Sequence, residues 1–488
     1  MTAPGALFLG IDIGTQSCKA VVVDPVRGEV VGRGSAPLEL LAGLPPGHQE
    51  QRPADWLTAL RSAATQALAA VDRTSIAGLA VSGQQHGAVV LDDRGEVVRP
   101  AKLWCDTATA AEAAELTAKL GRVVPTGFTA SKLLWLARHE VAHWARVRSV
   151  LLPHDYANLW LTGERSAEPG DASGTGWFDP VRRGYDARAL AAIDARLPAM
   201  VAPLRASDGL AGRLTAAAAN ALGLRPGIPV ATGGGDNMMS AIGGGATRDG
   251  VVVCSLGTSG TIFTRSASPI VDPRGAIAPF CSSDGGWLPL LCVMNVTGVV
   301  EEVKALTGLD HTTLTAAAER VAPGSDGLCW LPFLLGERVP DLPAATGSLL
   351  GMRLGSLRPG TLYRAALEGV ACNLADGLDR LRALGIAVGE VRLTGGGAGN
   401  ALWRQILADV WGVPVRVLAE TESAALGAAL QAAWVVARSA GEAALTADAV
   451  AANCVRLGPA IAPTADAPTV AALRRRFREH LRQQHGGA

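Results

Sequence analysis

The sequence has no excess of charge of either sign, and it has no long apolar run. Its 44 Lys and Arg residues balance 44 Asp and Glu residues, so no basic field is present to hold a nucleic-acid backbone. No apolar run approaches the roughly 20 residues that span a bilayer, and no basic segment precedes the apolar stretch near the N-terminus. These absences predict a cytoplasmic protein with neither a nucleic-acid nor a membrane partner.

Several common site motifs are also missing. The eight cysteines contain no Cys-x-x-Cys pair, which argues against a zinc ribbon or a thiol-redox site. The chain has no Gly-x4-Gly-Lys-Ser/Thr, and no Gly-x-Gly-x-x-Gly opens a dinucleotide fold. A nucleotide would therefore need another kind of phosphate loop. The 488 residues are 49% hydrophobic and 18% charged, which suits two large domains or three smaller ones.

The residues that are present favour an α/β fold built from two related halves. Gly10-Ile-Asp12-Ile-Gly14-Thr15 lies in the first of three strand-like segments divided by turn residues, which predicts a meander of hairpins. Helical periodicity begins after Gln51, and strands then alternate with helices. A similar opening pattern returns at Ser255-Leu-Gly257-Thr258. We predict a domain boundary near residues 247–250.

Four glycine-rich loops are candidates for phosphate contacts. They lie at Gly14-Thr15, Gly233-Gly-Gly235, Gly257-Thr258 and Gly395-Gly396-Gly397, the last followed by Asn400. Backbone N–H groups in such loops can approach phosphate oxygens, and a helix N-terminus adds partial positive charge. Any one loop alone is more often an ordinary turn. The two matching Gly-Thr copies favour a nucleotide site.

Two carboxylates stand at positions suited to chemistry. Asp12 follows a buried-looking strand, where an ionised carboxylate is unfavourable unless it is paired or faces a cation. This position suits a magnesium-facing role, with a turn-forming Asp as the alternative. Asp236 ends a strand and begins a helix beside three glycines. The helix N-terminus is expected to favour its ionised form, as a general base requires, and a plain N-cap is the alternative.

Polar and aromatic residues near two other loops are candidates for sugar binding. Gln84-Gln85-His86 follows a strand, where such side chains can hydrogen-bond sugar hydroxyls, although a solvated loop histidine fits equally well. Trp104 offers an aromatic face to sugar C–H groups, with Asp106 nearby as an acceptor. Packing of Trp104 in the core is the alternative.

A zinc-protease pattern also occurs, at His139-Glu140-Val-Ala-His143. Two histidines at i and i+4 on a helix can bind zinc while the Glu serves as a base. The segment is predicted to be helical over residues 132–147. Both histidines lie towards the polar side of that helix, and no third ligand is close in the sequence. We therefore expect no zinc site here.

Taken together, the motifs resemble those of the FGGY carbohydrate kinases of the actin/Hsp70-like ATPase superfamily, most closely the branch that phosphorylates xylulose. The resemblance covers nearly the whole chain. It is carried by Gly10-Ile-Asp-Ile-Gly-Thr15, Gly83-Gln-Gln-His86, Gly127-Phe-Thr-Ala-Ser-Lys132, Leu151-Leu-Pro-His-Asp155, Gly233-Gly-Gly-Asp236-Asn237, Ser255-Leu-Gly-Thr-Ser-Gly260, Gly336-Glu-Arg338 and Gly395-Gly-Gly397-Ala. It implies an α/β fold of two ribonuclease-H-like domains, residues 1–247 and 248–488, with sugar and ATP bound in the cleft between them.

The resemblance also implies roles for single residues. Asp236 would accept the proton of the C5 hydroxyl of a ketopentose, and Asp12 would orient Mg²⁺ on the phosphates of ATP, through water. The implied sugar contacts are Gln85, His86, Trp104, Asp236 and Asn237, and the implied nucleotide contacts are Gly14, Thr15, Lys19, Gly257, Thr258, Gly396, Gly397 and Asn400. The implied reaction is the ATP-dependent phosphorylation of D-xylulose.

The chain departs from the family pattern on the acceptor side. Gln85 stands where Met is usual, residues 105–108 replace Asn-Asp and a following Arg with Cys-Asp-Thr-Ala, and Asp341 replaces His. The acceptor therefore stays open among xylulose, ribulose, gluconate and other polyols. A nucleotide-switched binding protein of the same superfamily is the non-enzyme alternative. The resemblance leaves a homodimer open.

Overall fold

The computed structural model describes residues 5–442 and 444–486. In chain order the strands are β1 (Leu7–Ile13), β2 (Ser17–Asp24), β3 (Glu29–Pro37), β4 (Glu50–Gln51), β5 (Ile76–Gly83), β6 (Val89–Leu91), β7 (Ala101–Lys102), β8 (Ser149–Leu151), β9 (Phe178–Asp179), β10 (Gly184–Tyr185), β11 (Leu210–Arg213), β12 (Pro229–Ala231), β13 (Gly234–Gly235), β14 (Gly250–Leu256), β15 (Gly260–Thr264), β16 (Ala278–Cys281), β17 (Trp287–Val293), β18 (Cys329–Leu331), β19 (Ser348–Leu350), β20 (Val388–Thr394) and β21 (Val415–Val417).

The α-helices are α1 (Pro53–Ala67), α2 (Ala110–Leu120), α3 (Thr129–His139), α4 (Val141–Arg146), α5 (Pro153–Thr162), α6 (Pro169–Ala172), α7 (Ala187–Ile193), α8 (Leu197–Met200), α9 (Ala216–Leu222), α10 (Asp236–Gly243), α11 (Thr297–Thr307), α12 (His311–Ala318), α13 (Pro359–Ala383), α14 (Ala401–Trp411), α15 (Ser423–Ser439), α16 (Ala447–Cys454) and α17 (Ala467–His485). Short 3-10 helices lie at Arg73–Ser75, Ser325–Gly327 and Gly396–Gly399. Within the described residues, no helix combines the length and apolarity needed to cross a bilayer.

Two large mixed sheets share the order of five strands, β3-β2-β1-β5-β12 in the first and β17-β15-β14-β20-β21 in the second. The first runs β11-β12-β5-β1-β2-β3, with β13 also paired to β5, and the second runs β16-β17-β15-β14-β20-β21. In each, the opening strand has an antiparallel neighbour on one side, β2 or β15, and a parallel neighbour on the other, β5 or β20. The predicted repetition of the opening sequence pattern is therefore confirmed as a repetition of topology.

The first sheet is apolar on both faces, as expected for a sheet covered by helices on each side. Leu9, Ile11 and Ile13 belong to a core shared with α1, α5 and α9. Phe8, on the opposite face of β1, belongs to a core shared with α10, α15 and α16. Each fully buried side chain of this size contributes about 1.5–3 kcal/mol. The edge that carries Asp12 is thus held by helices from both ends of the chain.

The helix that begins at Asp236 is fixed by a close helix crossing. α10 packs against α15, which also packs along β1 and β5. A Cβ added to Gly427 would lie 1.8 Å from the carbonyl oxygen of Met239. A Cβ added to Gly243 would lie 1.9 Å from the carbonyl oxygen of Ser423. Only glycine lets the two backbones approach so closely, so this crossing sets the depth of α10 against the first sheet.

One predicted helix is wrong. The segment predicted as a single helix over residues 132–147 forms two helices, α3 and α4, because Glu140 leaves the helical region with φ −127° and ψ 55°. The helix predicted after Gln51 is confirmed and begins at Pro53. The eight cysteines are free thiols, as expected for a chain without a disulfide framework.

Candidate active site

Strand register brings Asp12 and Asp236 to the same edge of the first sheet. In the parallel pair β1 and β5, Asp12 lies opposite Ser82. β13 pairs with β5 on its other side, so that Gly235 lies opposite Gly83. Neighbouring strands are about 4.8 Å apart, so the ends of β1 and β13 are separated by about 10 Å. The residues predicted as magnesium ligand and general base therefore face one cleft.

The cleft has two adjoining parts, and Asp236 and Asn237 lie in the wall of both. The smaller part has a volume of about 240 Å³, and its wall includes Asp12, Lys19, Ser255, Thr261, Thr394 and Glu422. The larger part has a volume of about 540 Å³, and its wall includes Gln85, His86, Trp104, Phe128, Cys292 and Arg338. The structure thus gathers the predicted sugar contacts in the larger part, and places Asp12 and Lys19 in the smaller one.

Asp236 begins α10, with Gly235 at the N-cap position. Its Oδ1 accepts hydrogen bonds from the backbone N of Asn237 at 2.9 Å and from Nδ2 of the same residue at 3.2 Å. Burial, and then the carboxylates of Asp12 and Asp171, raise the pKa of Asp236 to about 8. The expected preference for the ionised form is reversed, because desolvation outweighs the helix dipole. A pKa this close to neutrality suits proton transfer.

Asp12 is held by its neighbours on two strands. Ser82 Oγ donates a 2.7 Å hydrogen bond to Asp12 Oδ1. Burial raises the pKa of Asp12, although the Ser82 hydrogen bond and the charge of Lys19 oppose the shift. Lys19 Nζ lies 2.6 Å from Glu422 Oε2, and both side chains remain about one-third exposed. The smaller cavity therefore has a lysine between two carboxylates in its wall.

Asp171, which had no predicted role, adds to the negative charge near Asp236. His154 Nδ1 lies 2.5 Å from Asp171 Oδ2, and both residues are buried. Burial alone would lower the pKa of His154, but the Asp155 and Asp171 carboxylates outweigh it and raise that pKa to about 9. His154 and Asp155 belong to a motif that carried the family resemblance without an assigned function. Only the fold shows that this motif lies close to the proposed base.

His86 lies in the wall of the larger cavity with an unusual backbone. Its φ of 68° is in the left-handed region, which is strained for a residue with a side chain and recurs at functional sites. Its ring centroid is 4.8 Å from that of Phe128 and 6.3 Å from that of Phe280. Burial, and then the charges of Lys132 and Arg338, lower the pKa of His86 to about 3. The imidazole is therefore neutral and can both donate and accept a hydrogen bond.

Lys132 holds the loops of the larger cavity together. Its buried Nζ donates to the carbonyl oxygens of His86 at 3.1 Å and Phe128 at 3.3 Å, and also to that of Gly127. Burial lowers the pKa of Lys132 to about 7, with the charge of Asp106 opposing the shift. Because one ammonium binds carbonyls of two loops, it sets their separation. The only signal in the sequence was the position of Lys132 directly before the apolar run Leu133-Leu-Trp135.

Gln85, Asn237 and Trp104 lie together in the wall of the larger cavity. Asn237 Nδ2 donates to Gln85 Oε1 at 3.0 Å, and Gln85 Nε2 has no hydrogen-bond partner among the described residues. Trp104 is 37% exposed, so the alternative of core packing is wrong. Its Nε1 donates to Thr15 Oγ1 at 2.9 Å, and Thr15 Oγ1 donates to Gln84 Oε1 at 3.0 Å. Thr15 therefore links the Gly-Thr loop to both predicted sugar loops.

The remaining predicted phosphate loops lie at the edge of the second sheet. β14 and β20 are parallel, and they lead into the loops that hold Gly257-Thr258 and Gly395–Gly397. A Cβ added to Gly395 would lie 2.8 Å from the carbonyl oxygen of Leu256, so the two loops are in contact. A Cβ added to Gly396 would meet no atom within 4 Å. The backbone at Gly396 is thus accessible to a ligand.

Asn400 is largely engaged inside the protein. Its Oδ1 accepts a 3.1 Å hydrogen bond from the backbone N of Trp403, which caps α14. Its Nδ2 donates to Thr315 Oγ1 at 2.9 Å. Such a cap contributes about 1 kcal/mol to stability. The adenosine contact predicted for Asn400 stays a prediction.

The two histidines of the zinc-protease pattern contact different carboxylates. His139 Nε2 contacts Glu112 Oε1 at 3.2 Å, and His143 Nδ1 contacts Glu140 Oε2 at 2.6 Å. The break at Glu140 removes the single helix face that two zinc ligands need. The expectation of no zinc site stays a prediction.

One other group of ligand-type side chains lies close together in the described residues, formed by His48, Glu50 and Asp106. Lys102 Nζ contacts His48 Nδ1 at 3.1 Å, Glu50 Oε1 at 3.2 Å and Asp106 Oδ2 at 2.9 Å. Its ammonium therefore already supplies the positive charge that a metal ion would bring. This is a buried ion-pair network behind the loop that carries Trp104.

Comparison with known families decides which class of protein has this site. Residues 7–243 match the N-terminal domain of the FGGY family of carbohydrate kinases, and residues 252–436 match its C-terminal domain. The chain belongs to the FGGY family. The protein is accordingly a carbohydrate kinase that takes ATP as a substrate, and the α/β fold of two ribonuclease-H-like domains is confirmed. The boundary between residues 247 and 248 stays a prediction.

This FGGY kinase is similar to several xylulose kinases. The xylulose kinase of Haemophilus influenzae is 40% identical over 446 residues, which cover 88% of this chain and 90% of that protein. The xylulose kinase of Streptomyces coelicolor is 40% identical over 479 residues, 95% of this chain and 93% of the relative. The crystal structure of xylulose kinase from Rhodospirillum rubrum matches with a TM-score of 0.88 at 32% identity, covering 98% of each chain.

Proposed function

We propose that this FGGY kinase phosphorylates D-xylulose to D-xylulose 5-phosphate with ATP, and that Asp236 is its general base. The observation that carries the proposal is the position of Asp236 in the wall common to both parts of the cleft. A base at that junction can meet an acceptor hydroxyl on the side of His86 and a phosphoryl donor on the side of Asp12, as phosphoryl transfer requires. The acceptor is proposed from relatives named xylulose kinase that are 40% identical to this chain over 446 and 479 aligned residues.

In this mechanism the residues mainly position the reactants. The C5 hydroxyl of the sugar gives its proton to Asp236, its oxygen bonds to the γ-phosphorus of ATP, and the bond from that phosphorus to the bridging oxygen breaks to release ADP. Gln85, neutral His86 and Asn237 would hydrogen-bond the other hydroxyls and fix the sugar in place. Trp104 would cover its C–H face.

Asp12 suits a magnesium ion that arrives with ATP. In nucleotide sites Mg²⁺ takes one or two carboxylates together with phosphate and water oxygens. Ser82 binds Asp12 Oδ1, which leaves Oδ2 for a direct or water-mediated contact. A bound ion would neutralise charge on the phosphates. Lys19 and the Gly14, Gly257 and Gly396 loops are proposed to hold the rest of the nucleotide.

A screen of acceptors tests this function. The protein would be incubated with ATP and Mg²⁺ and with D-xylulose, D-ribulose, L-ribulose, gluconate, glycerol or no acceptor, while ADP release is followed. We expect the highest kcat/KM with D-xylulose, and a kcat for that sugar about 10²–10⁴ lower in Asp236→Asn. Faster turnover of another acceptor would replace the proposed sugar while leaving the kinase assignment intact. ADP release stimulated by unfolded peptide, and by no sugar, would favour a nucleotide-switched binding protein.

A further inference from the structure

Arg338 places a guanidinium in the wall of the larger cavity, which it shares with His86, Asp236 and Cys292. It lies between β18 and β19, in the Gly336-Glu-Arg338 motif for which the sequence indicated no role. Burial raises the pKa of the Cys292 thiol, while the charge of Arg338 opposes that shift and the charge of Asp236 adds to it. Arg338 and Asp236 therefore both lie close to Cys292, at the sugar side of the cleft.

A buried carboxylate fixes the backbone from which Arg338 extends. Glu337 is 2% exposed, and its Oε1 accepts hydrogen bonds from the backbone N of Met294 at 2.7 Å and of Arg338 at 2.8 Å. Asn295 Nδ2 donates to Glu337 Oε2 at 3.2 Å and to the Gly336 carbonyl oxygen at 2.7 Å. The Glu337 charge is thus satisfied by backbone and amide donors, and the Arg338 side chain is left to the cavity.

The guanidinium of Arg338 forms no ion pair with a carboxylate in the described part of the chain. Other arginines of the second half are paired, as Arg364 is with Glu368 at 2.8 Å and Arg265 with Asp284 at 2.7 Å. The guanidinium hydrogen-bonds the Cys292 side chain, and with no carboxylate partner its remaining donors can match two oxygens of a phosphate. The wall of the larger cavity, which also contains the proposed base, therefore offers a group that can bind an anion.

The charged group that reaches this wall during the proposed reaction is the phosphoryl group. D-xylulose is neutral, and its product carries phosphate on O5, the atom whose proton Asp236 accepts. An arginine in the cavity wall that also contains Asp236 is placed to meet the oxygens of the phosphoryl group as it is transferred, when charge stabilisation contributes most to the rate. We infer that Arg338 binds the transferred phosphoryl group from the sugar side of the cleft and holds the phosphate of the product. This inference rests on the proposed function.

Two variants and a matched control test this role. Arg338→Gln removes the charge, Arg338→Lys keeps it without the paired donors, and Arg353→Gln changes an exposed arginine of the same half that lies in neither cavity wall. Binding of D-xylulose and of D-xylulose 5-phosphate would be measured by calorimetry without nucleotide, together with kcat and KM.

We expect Arg338→Gln to weaken binding of the sugar phosphate at least about tenfold while changing D-xylulose affinity less than about threefold. Its kcat should fall by about 10²–10³. Arg338→Lys should recover part of the loss, because an ammonium makes no bidentate contact. Arg353→Gln should match the wild type in all of these measurements.

Two results would overturn the inference. Equal weakening of sugar and sugar phosphate with kcat retained would mean that Arg338 binds the sugar itself. Unchanged product affinity and unchanged kcat would mean that it binds neither. If the wild-type protein neither binds nor phosphorylates D-xylulose, the proposed function fails instead. The same comparison would then use the acceptor found by the screen and its phosphorylated product.

Discussion

The two sheets present equivalent positions to the cleft with different chemistry. In the first sheet Asp12 on β1 lies opposite Lys19 on β2. In the second, Ser255 on β14 lies opposite Thr261 on β15. All four residues lie in the wall of the smaller cavity. The repeated topology therefore supplies the shape of this wall on both sides, whereas ionisable side chains occupy these positions only in the first sheet.

The neighbouring parallel strand extends the comparison. Ser82 on β5 lies opposite Asp12, and Thr394 on β20 lies opposite Ser255. Both halves keep a hydroxyl here, but Ser82 is buried and holds Asp12 through a 2.7 Å hydrogen bond, whereas Thr394 lies in the cavity wall beside Gly395. One sheet thus orients a carboxylate, and the other offers neutral hydroxyl groups and glycine backbone.

Changing Asp236 should have the largest effect, because this residue belongs to the charged half and lies in both parts of the cleft. Asp236→Asn keeps the shape and removes the base, so kcat should fall by about 10²–10⁴. ATP affinity should change less than about threefold, since the proposed nucleotide contacts lie elsewhere. Measured kcat and calorimetric ATP binding check both parts. Wild-type turnover in this variant would show that Asp236 is not the base.

Asp12 and Ser255 provide a direct test of the difference between the halves. Asp12→Asn should lower kcat by about 10² and raise the Mg²⁺ concentration needed for half-maximal rate, because the oriented carboxylate is lost. Ser255→Ala, at the equivalent position, should lower kcat by no more than about tenfold, the effect of one neutral hydrogen bond. Kinetics over a Mg²⁺ titration measure both. Similar losses of kcat in Asp12→Asn and Ser255→Ala would mean that the two positions share one role.

Lys19 should have a smaller effect, on ATP binding. Lys19 Nζ lies 2.6 Å from Glu422 Oε2, and a partly exposed pair of this kind contributes about 0–1 kcal/mol to stability. If Lys19 binds the phosphates, Lys19→Met should raise the KM for ATP about tenfold. Glu422→Gln is the matched control, since it breaks the same pair but keeps the lysine, and should leave that KM unchanged. Equal increases in the KM for ATP in the two variants would mean that the Lys19–Glu422 pair has a structural role and that Lys19 does not bind the phosphates.

The asymmetry of the site was partly predictable from sequence. The strand, glycine loop and helix around Asp236 could be predicted from local sequence, and so could the second Gly-Thr loop. Turn preference and hydrophobic periodicity depend on neighbours in the chain. The sign of the Asp236 pKa shift was not predictable in this way. It depends on burial and on Asp12 and Asp171, which only the fold brings close.

Supporting residues were missed for the same reason. Lys132 acts on the carbonyl oxygen of His86, 46 residues away in the sequence. α15 packs against β1 and α10 from the other end of the chain. The break at Glu140 was missed because its neighbours retain helical periodicity on both sides. Local patterns thus predicted the elements and the reacting groups, and contacts distant in sequence decided how those groups are held.

The smallest expected effect concerns the pH dependence set by the carboxylates of the first half. Only ionised Asp236 can accept a proton, so kcat/KM for D-xylulose should rise with pH through the Asp236 pKa of about 8. Asp171→Asn removes one charge that raises this pKa, so the midpoint of the pH profile should move to lower pH. At pH values below that midpoint the variant should be a few-fold faster than the wild type.

The control is Asp249→Asn, which changes an exposed carboxylate outside both cavity walls and should leave the profile unchanged. Rates at saturating ATP and Mg²⁺ across about pH 6 to 9, with thermal melts to confirm folding, measure the shift. An unmoved midpoint in folded Asp171→Asn would mean that burial and Asp12 alone set the pKa of the base.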